Sequence, residues 1–146
     1  MGWESIWRST RSRGSALVET AFIAPFLIVL IFGVIDTSWL LADLNEVRHA
    51  AREGGRQAAV NAGDSNFVVA MACQAMDDST ATTVTLDGAG GSLGDDLEVT
   101  VNKQVDTLVG LTDWAFNPPV NLHSTSTFRI EQTPVLWSDV TGQACP

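Results

Sequence analysis

Basic residues are scarce in this 146-residue chain, where eight Lys and Arg face 17 Asp and Glu. The net charge of −9 and pI ≈ 4.4 exclude a nucleic-acid partner, because displacing condensed counterions requires a basic stripe. Charge of either sign is thin, at 17% of residues, while 45% are hydrophobic and the mean hydropathy is +0.14. The apolar residues must therefore be concentrated somewhere. Cysteine is limited to Cys73 and Cys145, too few for a disulfide scaffold but enough for one bridge. Histidine is scarce too: there is no H-E-x-x-H, and neither His49 nor His123 belongs to a nucleophile motif. Glycines 88, 90, 91 and 94 are followed by no P-loop Lys or Ser/Thr in frame. Asp77-Asp78 and Asp95-Asp96-Glu98 match no EF-hand loop, and Cys73, Cys145, His49 and His123 lack the paired spacing of a zinc site. The expectation is a non-enzymatic chain with no cofactor and no metal.

What is present is a sharp partition of charge. Arg8, Arg11 and Arg13 stand against Glu4 in the first 14 residues, whereas residues 61–146 set eleven acids against Lys103 and Arg129. Between the two ends lies TAFIAPFLIVLIFGVI, residues 20–35, without a charge. Extended to 16–42, the segment exceeds the roughly 20 residues that cross a hydrocarbon core. Asp36 and Trp39 are expected at the outer interface, the carboxylate reaching water and the indole joining an aromatic belt. The arginines before the span place the N-terminus in the cytoplasm and the acidic body outside. Pro25 removes one backbone donor and would kink the helix, a defect that membrane helices tolerate. A cleaved secretory signal fits less well, since the uncharged run is too long and Leu40-Leu41-Ala42 is a poor cleavage site.

The residues leading into the span read RSRGSALVET, from Arg11 to Thr20. Glu19 is costly one turn into an apolar helix, unless it snorkels to the headgroups. Basic residues, then Gly14, then a glutamate five positions later and an apolar run, resemble the processing site of type IV pilin-like precursors. With the NEVRHAAREGGRQAAV that follows the span, the chain resembles the TadE-like family, minor pilins (pseudopilins) of Tad/Flp pili. Gly14, Glu19, Pro25, Gly33, Ala50, Ala51, Arg52, Glu53, Gly54 and Arg56 carry the likeness; Thr20 departs from it, standing where many relatives hold a large apolar residue. The resemblance implies cleavage by a prepilin peptidase between Gly14 and Ser15. It also implies that Glu19 pairs with the new N-terminus of a neighbouring pilin, so the partners are the membrane, the peptidase, other pilins and the assembly machinery. A permanently anchored extracytoplasmic binding module is the alternative, but such an anchor has no need of Gly14 or Glu19.

The expected organisation is a leader over 1–14, a transmembrane helix over 15–42, a helical extension over 43–61 and a small extracytoplasmic domain over 62–146. Past Trp39 the pattern stays helical, and Leu40, Leu41, Leu44, Val47, Ala51 and Ala58 fall near one face, with Asp43, Glu46 and Glu53 elsewhere. Arg48, Arg52 and Arg56 recur every four residues and line one stripe, either solvated with local acid pairs or docked on an acidic surface. Gly54-Gly55 allows a bend or a close approach. Beyond a break at 61–65 the pattern gives a helix over 66–76, strands over 82–86, 97–103 and 120–131, and irregular chain over 104–119. The fold class is α+β, a long membrane helix continuing into a mostly antiparallel domain with one extra helix. Outside the cytoplasm Cys73 and Cys145 are expected to pair and pin the C-terminal tail, with two unpaired thiols as the alternative.

Overall fold

The structure, a computed structural model, describes residues 8–60, 64–110, 113–132 and 138–146. Its first element is a 53-residue helix, α1 (Arg8–Val60). The helix is already formed at Arg8, seven residues ahead of the expected Ser15, because nothing in that stretch except Gly14 opposes helical backbone. It also runs through Pro25, which costs one ladder hydrogen bond. The expected terminal residue, Asn61, and the start of the break lie outside the described residues.

Helix α2 (Ser65–Gln74) opens on Asp64, whose Oδ1 accepts the Asn66 N–H at 2.9 Å. Three strands follow the expected alternation: β1 (Thr82–Asp87), β2 (Asp96–Val105) and β3 (Val120–Arg129). Between β2 and β3 a four-residue helix, α3 (Asp113–Phe116), interrupts the irregular stretch. A fourth strand, β4 (Val140–Ala144), was not expected from the sequence. Its V-T-G-Q-A has little strand patterning; it exists because the open edge of β1 supplies partners, with Thr83 opposite Ala144 and Val84 opposite Gln143. The sheet is antiparallel in the order β3-β2-β1-β4.

One face of the sheet lies on the C-terminal part of α1. Leu97, Val99 and Val101 on β2 meet Val47, Ala50, Ala51 and Ala58 on the helix, while Val68, Val69 and Ala72 of α2 close the side. The helix contributes small residues, so the backbones come close. A Cβ on Gly55 would stand 2.0 Å from a carbon of the Phe128 ring, and one on Gly54 would stand 3.1 Å from Ala72 Cβ. The glycine pair therefore serves close approach, and the helix continues through it. The expected apolar face needs one correction: Leu41 is exposed, and Ala50, Gly54, Gly55 and Ala59 take the inward positions instead. The end of β3 is tied to the end of α1 by the Glu131 N–H, which donates to the Ala59 carbonyl at 3.2 Å.

Candidate functional site

Helix α1 divides into three zones by what surrounds it. In the first, from Gly14 to Ile35, nearly every residue is exposed, including Phe22, Phe26 and Leu30. The most apolar 18-residue stretch of the helix buries nothing within the chain, and the helix is long and apolar enough to cross a membrane. Three of its hydroxyls bond the helix backbone. Thr20 Oγ1, Thr37 Oγ1 and Ser38 Oγ each donate to the carbonyl four residues earlier at 2.7–2.8 Å. That is how hydroxyls are satisfied where water is absent.

Gly14 and Glu19 sit in this zone. A Cβ on Gly14 would meet nothing within 4 Å, so the fold itself makes no use of a glycine there. Glu19 is exposed on the apolar helix, and no hydrogen bond or ion pair holds it among the described residues. Ser15 and Pro25 are likewise exposed on the same helix.

The second zone, from Asp36 to Glu46, overturns one expectation. Asp36 does not reach water; it is 1% exposed. The chain after β2 folds back against the helix, and the Val109 N–H donates to Asp36 Oδ1 at 3.0 Å. A backbone donor thus meets the carboxylate where solvation was expected. About two turns further on, Lys103 inserts between helix and sheet. Its Nζ lies 2.7 Å from Asp43 Oδ1 and 3.7 Å from Glu46 Oε2, with the lysine side chain only 4% exposed. Burial alone would lower the Lys103 pKa, but the bond to Asp43 and the charges of Asp43 and Glu46 outweigh it and leave the ammonium raised.

In the third zone, from Val47 to Val60, the helix packs on the sheet and its outer face carries the arginines. Arg48, Arg52 and Arg56 are all exposed, so the stripe does not dock on the chain's own acidic domain. The charged link between helix and sheet has the opposite polarity, with acids on the helix and Lys103 on β2. Arg56 pairs locally, its Nη2 lying 2.6 Å from Glu53 Oε1. Hydrogen bonds from Arg56 and Gln57 hold the Glu53 carboxyl down at about 2.

Cys73 on α2 and Cys145 after β4 are brought together as a disulfide, with Cα atoms 5.7 Å apart across 72 residues of sequence. Reading the sequence missed Lys103 and Val109 as partners of the helix. Lys103 left a signal, since it occupies an inward position in the alternation Leu97, Val99, Val101, Lys103, Val105. A cation facing a core requires acids opposite, and Asp43 and Glu46 stand three residues apart on the helix.

Residues 14–56 match the family model described as TadE-like protein. The chain carries a TadE-like segment. The matched stretch begins at Gly14 and ends at Arg56, so it takes in the exposed apolar zone and the small-residue face that receives the sheet. No curated protein and no solved structure matches the chain. The sheet, the cystine and Lys103 all lie outside the TadE-like segment.

Proposed function

We propose that this chain is a minor pilin of a Tad (Flp) pilus, cut by a prepilin peptidase between Gly14 and Ser15 and assembled through the exposed helix that follows. The observation that carries the reading is the pairing of Gly14 and Glu19 on an apolar helix whose fold needs neither. A glycine inside a helix costs about 1 kcal/mol relative to alanine, and here no close approach offsets it. A carboxylate in an apolar helix costs about 2.5–3.5 kcal/mol at the bilayer centre and less toward the edge where Glu19 sits, and Glu19 has no partner among the described residues to offset that. Both features gain a purpose if something outside the chain recognises them.

The N-terminus then lies in the cytoplasm and the sheet domain outside. Cleavage frees an α-amino group at Ser15, and the Glu19 carboxylate of one subunit meets the amino group of the next. Two opposite charges in apolar surroundings are tolerated together and are costly alone, so such a pair sets axial register. On the outer part, Arg48 and Arg52 form no ion pair among the described residues. They offer cations to an acidic neighbour, while Arg56 is engaged by Glu53.

Replacing the charge while keeping the size tests the assembly step. In cells that make the pilus, Glu19→Gln is expected to leave membrane insertion and the Ser15 terminus intact. It should abolish photo-crosslinking to other pilins from a reactive residue placed at Phe22. Undiminished crosslinking in Glu19→Gln would contradict the assigned role of the carboxylate.

A further inference from the structure

The short helix α3 sits in an unusual place. Trp114 and Ala115 form one wall of an apolar cleft of about 420 Å³, and Val29, Leu30, Gly33, Val34, Thr37 and Ser38 of α1 form the other. Trp114 is 82% exposed, as much as any large hydrophobic residue described. Nearby Leu108 is 57% exposed. An indole held out into water forgoes the gain of burying its large apolar surface.

The level of α3 along the helix explains the exposure. Counting about 20 residues at roughly 1.5 Å each from Ser15, the hydrocarbon core ends near Val34. The α1 residues beside Trp114 run from Val29 to Ser38, so they straddle that boundary. Tryptophan favours this depth, where its ring meets acyl chains and its N–H meets headgroups. The turn is also fastened to the helix at the same level. The Val109 N–H donates to Asp36 Oδ1, and Thr107 Oγ1 donates to Asp113 Oδ1 at the start of α3. Asp106 and Asp113 flank the apolar residues, so attraction to anionic headgroups does not drive the contact; apolar burial does.

We propose that α3 and Leu108 form a second membrane contact, with Trp114 lying in the outer interfacial layer of the bilayer beside the span. This holds the extracytoplasmic domain against the membrane and covers Asp36 where the helix leaves it. The proposal rests on α1 spanning the membrane, and the experiment separates the two. The full chain, with Trp3, Trp7, Trp39 and Trp137 replaced by Phe, is placed one copy per phosphatidylcholine nanodisc. A second version carries Phe26→Trp and Trp114→Phe and reports the middle of the span. Trp114 is expected to emit to the blue of indole in water and to lose most of its emission to lipids brominated near the headgroup. It should resist aqueous iodide and be indifferent to salt, while the residue-26 indole responds to deeply placed bromines. If the residue-26 indole is quenched by lipid but Trp114 only by iodide, the second contact is overturned and the span stands. Trp114 sealed from both quenchers overturns it too, since protein then covers the indole. If neither indole responds to lipid, the span fails and the second contact with it.

Discussion

Lys103 and Glu53 show how two ion pairs on one helix carry different weight. Lys103 is enclosed between α1 and β2, with Asp43 and Glu46 around it. Lys103→Met leaves two carboxylates facing a closed interface without their cation, and breaking a buried pair costs about 3–5 kcal/mol. Thermal unfolding of the full chain in micelles should show that loss, and adding Asp43→Leu and Glu46→Gln should recover most of it. The raised Lys103 pKa means that its contribution is whole below the ordinary value of 10.5 and fades as pH climbs through the folded value. Glu53 and Arg56 are exposed by comparison, so their pair adds little stability. Its signature is a titration. The Glu53 carboxyl is held at about 2 rather than 4.5, so what it contributes is present above pH 4.5 and is lost as pH falls toward 2. Side-chain NMR should find that low midpoint, and Arg56→Ala should move it most of the way back toward 4.5.

Among the elements, α1 meets two different surroundings along one continuous helix, and its glycines register the change. A Cβ at Gly55 would overlap the Phe128 ring, whereas one at Gly33 meets nothing within 4 Å. Gly55→Ala should therefore destabilise the packed domain by about 1–3 kcal/mol through overpacking, and Gly33→Ala should be neutral or favourable by up to about 1 kcal/mol. The melting temperature of Gly55→Ala should fall below the parent value, and that of Gly33→Ala should lie at or above it. The period of the sequence made much of this legible. Alternation over Leu97, Val99 and Val101 and over Leu122, Ser124, Ser126 and Phe128 is a local property, and the strands formed there. What escaped depends on residues far apart in the chain. Asp36 and Val109 are 73 residues apart, so no local pattern could show that the carboxylate is covered. Strand β4 is polar and contains Gly142, and the edge of β1 and the cystine to α2 hold it in place. The motif residues Gly14 and Glu19 were legible for the opposite reason: they are anomalies in an apolar helix, visible without any fold.

For the whole molecule, the charge partition and the fold tell one story. The acidic sheet domain, stapled by a disulfide closing 72 residues, is stabilised by about 4 kcal/mol on loop entropy alone. It sits at one end of a helix whose other end is apolar and exposed. A water-soluble protein would hide that face; here a bilayer, and then neighbouring pilin helices, are its proposed surroundings. The TadE-like segment ends at Arg56 while the sheet that packs on it lies beyond, so the long helix and the sheet domain are separable in sequence yet joined through Lys103 and the glycine pair.

The most direct measurement is the intact mass and N-terminal residue of the chain purified from membranes, with and without an active prepilin peptidase. The expected result is a chain that begins at Ser15 when the peptidase is present and remains uncut when Gly14 is replaced by Leu. A chain left uncut by the active peptidase would contradict the account. The protein would then be a permanent anchor for its outer domain.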